Sequence, residues 1–543
     1  MLRIFSSLLL SLLLACGCRT AGAAADAIPT FAQLEKAGAT IGKVRVEVQN
    51  IFDLSDPRED YGLYKWVNSL HIATRPVVVE RSLLFHAGDR VSLRLIDETE
   101  RVLRNNRYLY DVRIVPVAVH DNVVDIDVIT RDTWSLDLTG NLSRSGGSNT
   151  TSFGVREYNV LGTGLRLGYS HTSNADRKGS ELEIAYPQAF DGWTRFQFLR
   201  GKYDDGSRTT YAITRPFFAL DTRWAGNFAA DRQDRIDTIY NSGDTVAEYR
   251  HRLHAGELSG GWSPGLQDGW VHRYTAGLVQ IDDAYATEPG RVAPANLPVD
   301  QKMHGLLLRA EWLEDQYKKV KNRDLIARTE FFDLGFRARL QVVRSLPAWG
   351  ASQAAWLYRA EAADGMALPW RHDLLASAAV ERRIASTGTP MTQASAGLRY
   401  YAPQNAWFSF YASTAFDRIS DGVGAADQLL LGGDNGLRGY PLRYQTGTRR
   451  ALLTVEQRAY SDWYPFRLFR VGGAVFVDSG RAWNGVNQNT VNGGWLSDAG
   501  IGLRIALDRA AFANVLHADL AMPLRRQANI KAVQFLLKTE LSF

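Results

Sequence analysis

Cysteine is nearly missing from this 543-residue chain, and its two examples, Cys16 and Cys18, both stand close to the N-terminus. Everything downstream is therefore without disulfides or thiolate metal sites. Long apolar runs are missing too. The longest, Ile4 to Ala15, falls short of the roughly 18 residues that a membrane-spanning helix needs. Neither sign of charge predominates: 63 Lys and Arg face 58 Asp and Glu, a formal +5, spread along the chain. No basic block marks a nucleic-acid surface. The ten histidines are scattered, without His-Glu-x-x-His or another paired ligand spacing, so no metal and no cofactor is expected. Beyond Trp134 helical periodicity is essentially absent.

What is present begins with Arg3, the short apolar stretch behind it and the small residues Ala23-Ala24-Ala25 before Asp26. That is the layout of a secretory signal peptide over residues 1–25, with cleavage expected after Ala25. A second reading stays open, because Leu13-Leu-Ala-Cys16 is similar to a bacterial lipobox, whose cysteine would carry lipid.

Residues 42–131 carry a compact mixed pattern. Lys43 to Gln49 alternates, with Val44, Val46 and Val48 on one face. After an irregular stretch, Asp53 to Arg75, Pro76 opens a short helix over Val77 to Phe85 that Gly88 can end. Ser92 is placed to cap a second helix with Leu95, Thr99, Val102 and Leu103 on one stripe. Two strands follow, Tyr108–Val117 and Val123–Thr130, joined by the polar turn His120-Asp121-Asn122.

From about residue 132 to Phe543 the chain is a succession of alternating segments divided by Gly, Asn, Asp and Pro. In the last of them Val533, Phe535, Leu537, Thr539, Leu541 and Phe543 share one face. Ile501, Leu503, Ile505 and Leu507 likewise oppose Gly500, Gly502, Arg504 and Ala506. An apolar face sustained over so many strands suits lipid, and a sheet in lipid has to close on itself. Counting strands back from Phe543 puts the glycine-rich loop 418–448 on the outer side, with fifteen candidate segments before it and five after.

That loop reads Leu-Leu-Leu-Gly-Gly-Asp-Asn-Gly-Leu-Arg438-Gly439-Tyr440-Pro441, and about forty residues on comes Phe476-Val-Asp478-Ser-Gly480. On a strand, Val471, Gly473, Val475 and Val477 share one face while Gly472, Ala474, Phe476 and Asp478 share the other. An arginine folded inward to meet such a carboxylate forms a charge-assisted pair away from water. Glu456 and Arg458, of one parity on the next strand, are placed to extend it. Gly433, Gly436 and Gly439 permit close backbone approach, and Tyr440 can pack against the wall.

Leu-Arg-Gly-Tyr and Phe-Val-Asp-Ser-Gly resemble the lid-loop arginine motif and the F-x-D-x-G strand motif of the Omp85 superfamily. The strand-helix-helix-strand-strand order, with Phe85-His-Ala-Gly-Asp89 between the helices, is similar to a POTRA domain. The resemblance implies a mainly β fold: a 16-stranded antiparallel transmembrane β-barrel over residues 132–543, preceded by one small α+β POTRA-like periplasmic domain over 42–131. It implies the bacterial cell outer membrane, and a protein that inserts or translocates polypeptides, its lid latched by Arg438 and Asp478. Outer-membrane lipids, unfolded or partly folded client polypeptides and periplasmic accessory proteins are the implied partners. A client strand would pair with a sheet edge of the small domain and then pass to the seam between the first and last barrel strands, near 134–143 and 533–543. A passive or substrate-selective channel on the same scaffold is the alternative.

Three remaining motifs point to simpler chemistry. Asn159-Val-Leu-Gly162-Thr-Gly164 lacks the third glycine at nucleotide-loop spacing and resembles a family feature at the first barrel hairpins. Gly261-Trp-Ser263-Pro-Gly265 matches a nucleophile elbow in letters only, since a turn between strands follows. His517 and Asp519 share the inward parity of one strand, which lumen polarity explains. No catalytic residue and no enzymatic activity is expected.

Overall fold

The computed structural model describes residues 28–387, 389–421, 424, 426–485, 493–511, 515–526 and 530–540. Cys16, Cys18, the expected cleavage after Ala25 and the terminal Phe543 lie outside them.

The N-terminal part is a three-stranded sheet covered by helices. In chain order its elements are α1 (Phe31–Lys36), β1 (Thr40–Gln49), α2 (Gly62–Leu70), α3 (Pro76–Glu80), α4 (Leu93–Arg104), β2 (Leu109–His120) and β3 (Val123–Asp132). β3 is central, parallel to β1 and antiparallel to β2. The β2–β3 turn is tight because Asp121 and Asn122 both accept positive φ, 49° and 61°. Ser92 caps α4 by accepting a bond from the Leu95 amide. The helix buries Ile96, Thr99 and Leu103 against Ile126 and Val128.

Two expectations need correction. The helix opened by Pro76 stops at Glu80 instead of Phe85, because Leu83 and Phe85 turn inward into the core. The stretch expected to be irregular, 53–75, contains α2. That helix lacks the usual sequence flag: Tyr61 stands at its N-cap and makes no side-chain bond. The core also takes in Leu34 and Ala39, upstream of residue 42.

The rest is one closed antiparallel barrel of 20 strands, from Leu136–Ser145 to Gln534–Glu540, if Asp244–Trp262 and its short continuation Leu266–Gln267 count as one. The expected sixteen is thus overturned. Nothing local fixes a barrel's circumference: an added hairpin keeps alternation, strand direction and closure intact. The segmentation read from alternation, fifteen segments before the glycine-rich loop and five after, matches the observed ladder, and the count taken from resemblance does not.

Alternation sets the two faces of the wall. Val475, Val477, Ile501, Leu503, Leu520 and Phe535 stand 45–59% exposed on the outside. Their alternates Ala474, Phe476, Asp478, Arg504, Asp519 and Leu536 are buried inside. Exposed aromatics crowd one rim: Phe190, Trp262, Trp370, Trp407, Trp463 and Phe466 lie at or beside turns at the end that the small domain occupies.

The small domain docks on those turns. Asp132 accepts bonds from the Thr74 amide (2.7 Å) and Thr74 Oγ1 (2.9 Å). Asn159 Nδ2 donates to the same hydroxyl at 2.8 Å, and Asn159 Oδ1 receives the Gly164 amide at 2.7 Å. The Arg75 amide donates to the Gly162 carbonyl at 2.9 Å. Gly162 has φ 73°, and a Cβ there would strike the Ala73 carbonyl. The Asn159–Gly164 motif is therefore a strand-turn-strand piece that seats the domain.

Candidate functional site

The loop between strands Phe408–Ser420 and Arg449–Tyr460 folds back into the barrel as a small hairpin. Leu429–Leu431 pairs with Gln445–Gly447, and residues 432–444 form its tip. Gly432, Gly433 and Gly436 have φ of 125°, 62° and 92°, which let the tip reverse tightly. Leu431, Leu437, Tyr440 and Tyr444 bury themselves against Ala482, Leu496 and Ile530 of the wall and its outer loops. Within the tip the Leu442 amide reaches the Gly146 carbonyl at 3.2 Å, and Arg443 pairs with Asp176 at 2.5 Å. The loop thus crosses the mouth to the first hairpins of the barrel.

At the tip, Arg438 makes a two-pronged contact with Asp478: Nε to Oδ2 at 2.7 Å and Nη2 to Oδ1 at 2.9 Å. Its Nη1 donates to Glu456 Oε1 at 3.0 Å and to Asp519 Oδ2 at 3.4 Å. The guanidinium lies 3.4 Å from the centroid of the Phe476 ring, on the strand that carries Asp478. Thr454 Oγ1 donates to Asp478 Oδ1 at 2.8 Å and fixes the carboxylate. Arg438 is 8% exposed and Asp478 1%. Planar guanidinium against planar carboxylate out of water gives strong, directional pairing. Gly439 permits it, since a Cβ there would stand 2.6 Å from Asp498 Cβ and 3.0 Å from the Pro523 amide nitrogen. The Tyr440 hydroxyl reaches the carbonyls of Ser497 (3.1 Å) and Arg525 (3.0 Å).

The residues singled out in the sequence, Arg438, Asp478, Gly439, Tyr440 and Glu456, are therefore together in space. Sequence reasoning missed Asp519 as a partner of Arg438, Arg504 as a partner of Asp519, and the ring of Phe476. Parity was an available signal, because all three point inward from neighbouring strands.

A larger feature was not foreseen. Between strands Gln301–Glu314 and Arg337–Ser345, at the small-domain end, Tyr317–Lys321 pairs with Thr329–Asp333 as a hairpin. Its tip enters the barrel. Ile326 packs on Tyr460, Ala474 and Val515, and Arg323 pairs with Asp373 at 2.9 Å. Arg458 joins the two inward pieces. Its Nε donates to Glu456 Oε2 at 2.9 Å and its Nη1 to the Arg323 carbonyl at 2.8 Å.

Ser263 sits in a turn, its hydroxyl accepting the Gly265 amide at 3.0 Å. His517 is buried on the inner face opposite Arg504. Among the described residues no group of three or more His, Cys, Asp or Glu is placed to hold a metal ion.

No known protein family matches the sequence, and no curated protein does. Among solved structures the chain is similar to CdiB from Escherichia coli, at 13% identity and TM-score 0.45, over 92% of this chain and 76% of that one. CdiB from Acinetobacter baumannii gives 13%, 0.41, 93% and 74%. BamA from Haemophilus ducreyi, solved without its POTRA domains 1–3, gives 13%, 0.38, 92% and 85%. These likenesses are distant, and the closed barrel stands on its own hydrogen-bond ladder.

Proposed function

We propose that the chain is an Omp85-type outer-membrane protein that inserts or translocates polypeptides, with a POTRA-like periplasmic domain and a lid held by Arg438 and Asp478. The apolar outer face supports the membrane setting. Away from the seam the closed sheet pairs its backbone strand to strand, as a lipid setting requires, and an aromatic rim suits the head-group level.

The seam carries the reading. Among the described residues the first and last strands share one residue pair, Leu537 with Arg144, whereas the last strand pairs with its other neighbour from Val515–Glu540 through Ala521–Gln534. A wall that is weak at one place, around a lumen filled from both ends, suits passage through the side better than flow down the middle. The small sheet leaves β1 and β2 at its edges, where a client strand could add. Depletion in the native cell followed by outer-membrane proteomics tests the reading. Loss of a defined set of outer-membrane or secreted proteins is expected, and an unchanged proteome would contradict it.

The channel alternative is favoured by one observation: 20 strands give a wider cylinder than the 16–18 that leave an aqueous pore in porins. Single-channel conductance separates the two. The polypeptide-handling reading expects little current from the unmutated protein and larger openings from Arg438→Ala. Large steady conductance without mutation, and no client effect, would favour the channel.

A further inference from the structure

Helix α2 buries one side and leaves an apolar stripe uncovered beside it. Tyr64 is buried, stacked on Phe52 with ring centroids 4.2 Å apart, in a cluster that includes Ile51, Val67, Trp134 and Leu468. Leu63, Trp66 and Leu70, at i, i+3 and i+7, stand 58%, 59% and 52% exposed. Tyr61 and Ile72 flank them, 58% and 55% exposed. A contiguous patch of this kind marks a surface that meets something apolar.

The position of the helix says what. The Tyr64 hydroxyl donates to the Phe466 carbonyl at 2.6 Å, and Phe466 is one of the exposed aromatics on the barrel rim, with Trp463 on the same turn. Leu468 packs into the α2 cluster. The next residue, Phe469, begins the outward row Phe469, Val471, Gly473, Val475 and Val477, opposite Leu507 in the neighbouring strand. The stripe therefore stands at the level of the aromatic rim, on a helix bonded to the turn that leads into the wall's outer apolar row. Tryptophan beside aliphatic residues on one helical face, at that level, matches an interfacial helix.

We propose that α2 lies in the periplasmic leaflet, with Leu63, Trp66 and Leu70 among the lipid chains, and so anchors the small domain to the bilayer as well as to the barrel. This rests on the membrane setting proposed above. Because Trp134, which leads into the first barrel strand, packs in the same cluster, the anchor stands at the start of the seam.

Single cysteines at Trp66→Cys, Leu70→Cys, Lys65→Cys and Val475→Cys, each in the full chain with Cys16→Ser and Cys18→Ser, are labelled with bimane and reconstituted in phosphatidylethanolamine–phosphatidylglycerol vesicles. Lys65 points away from the stripe, and Val475 is the control on the barrel wall. Labels at 66 and 70 are expected to be quenched by doxyl-labelled lipid and shielded from iodide, with the reverse at 65. Iodide quenching at 66 and 70 equal to that at 65 would overturn the proposal. So would shielding from both quenchers, which would mean that a second copy or another protein covers the stripe. If the label at 475 is not quenched by doxyl lipid, the membrane setting itself fails. Quenching at 475 but not at 66 and 70 refutes the anchor alone.

Discussion

Arg458 donates to the carbonyl of Arg323 across 2.8 Å, while its other edge holds Glu456, the carboxylate that also receives Arg438. A loop from the outer end and a hairpin from the small-domain end are thus held by one wall side chain. Arg458→Met keeps much of the packing on Tyr411, 3.8 Å away, but removes the link. Breaking a buried pair from one side costs about 3–5 kcal/mol. Both the loop and the hairpin should become more susceptible to protease in the same variant, read by limited proteolysis with mass mapping. Cleavage rising in only one of them would refute the link.

Arg438→Ala leaves Asp478, Glu456 and Asp519 facing the lumen without the cation that the loop brings. The loss is again about 3–5 kcal/mol of docking free energy. It should appear as protease cleavage within 421–448 and a lower temperature for the heat-induced gel shift of the barrel. An unchanged cleavage pattern would show that the apolar cluster around Leu437 and Tyr440 holds the loop unaided.

Gly439→Ala tests the close approach separately from charge. The added methyl meets the Asp498 Cβ and the Pro523 backbone, neither of which can swing away. Overpacking of this kind costs about 1–3 kcal/mol. The variant should loosen the loop less than Arg438→Ala does, by the same proteolysis assay.

How much of this could be read in the sequence depends on whether the signal was local. The alternation Val471, Val475, Val477 against Ala474, Phe476, Asp478 is set by the pleat alone, so faces and strand directions were legible. The partners of Arg438 on the two strands that follow its loop, Glu456 and Asp478, were legible from parity. Asp519 shares that inward parity, but its pairing with Arg438 depends on the loop tip reaching the second strand beyond that of Asp478, which no local pattern shows. The 317–333 hairpin was not legible, because its strands Tyr317–Lys321 and Thr329–Asp333 are short and its burial comes from the barrel around it. α2 was missed for a related reason: its two apolar faces, one against Phe52 and one outward, blur the single stripe of a half-buried helix.

Burial pushes the Glu330 carboxyl up to about 7, against the amides of Arg323 and Asp324 that donate to it and pull it down. The neighbouring Asp324 carboxylate adds to the rise. An acid whose pKa is higher in the docked state favours docking while protonated, so docking weakens as pH climbs from the ordinary carboxyl range through about 7. The hairpin should be better protected from protease at pH 6 than at pH 8, with a protease active at both. Equal protection, or the reverse order, would refute the assignment.

The seam offers the most direct test of the account as a whole. Arg144 and Leu537 face each other in register on the first and last strands. With Arg144→Cys and Leu537→Cys joined by an oxidant or a short bifunctional reagent, the barrel should still fold and the loop at Arg438 should stay protected. Accumulation of its client proteins in the outer membrane should stop, and a reductant should restore it. Full client accumulation with the seam demonstrably locked would contradict passage through the wall and with it the proposed function.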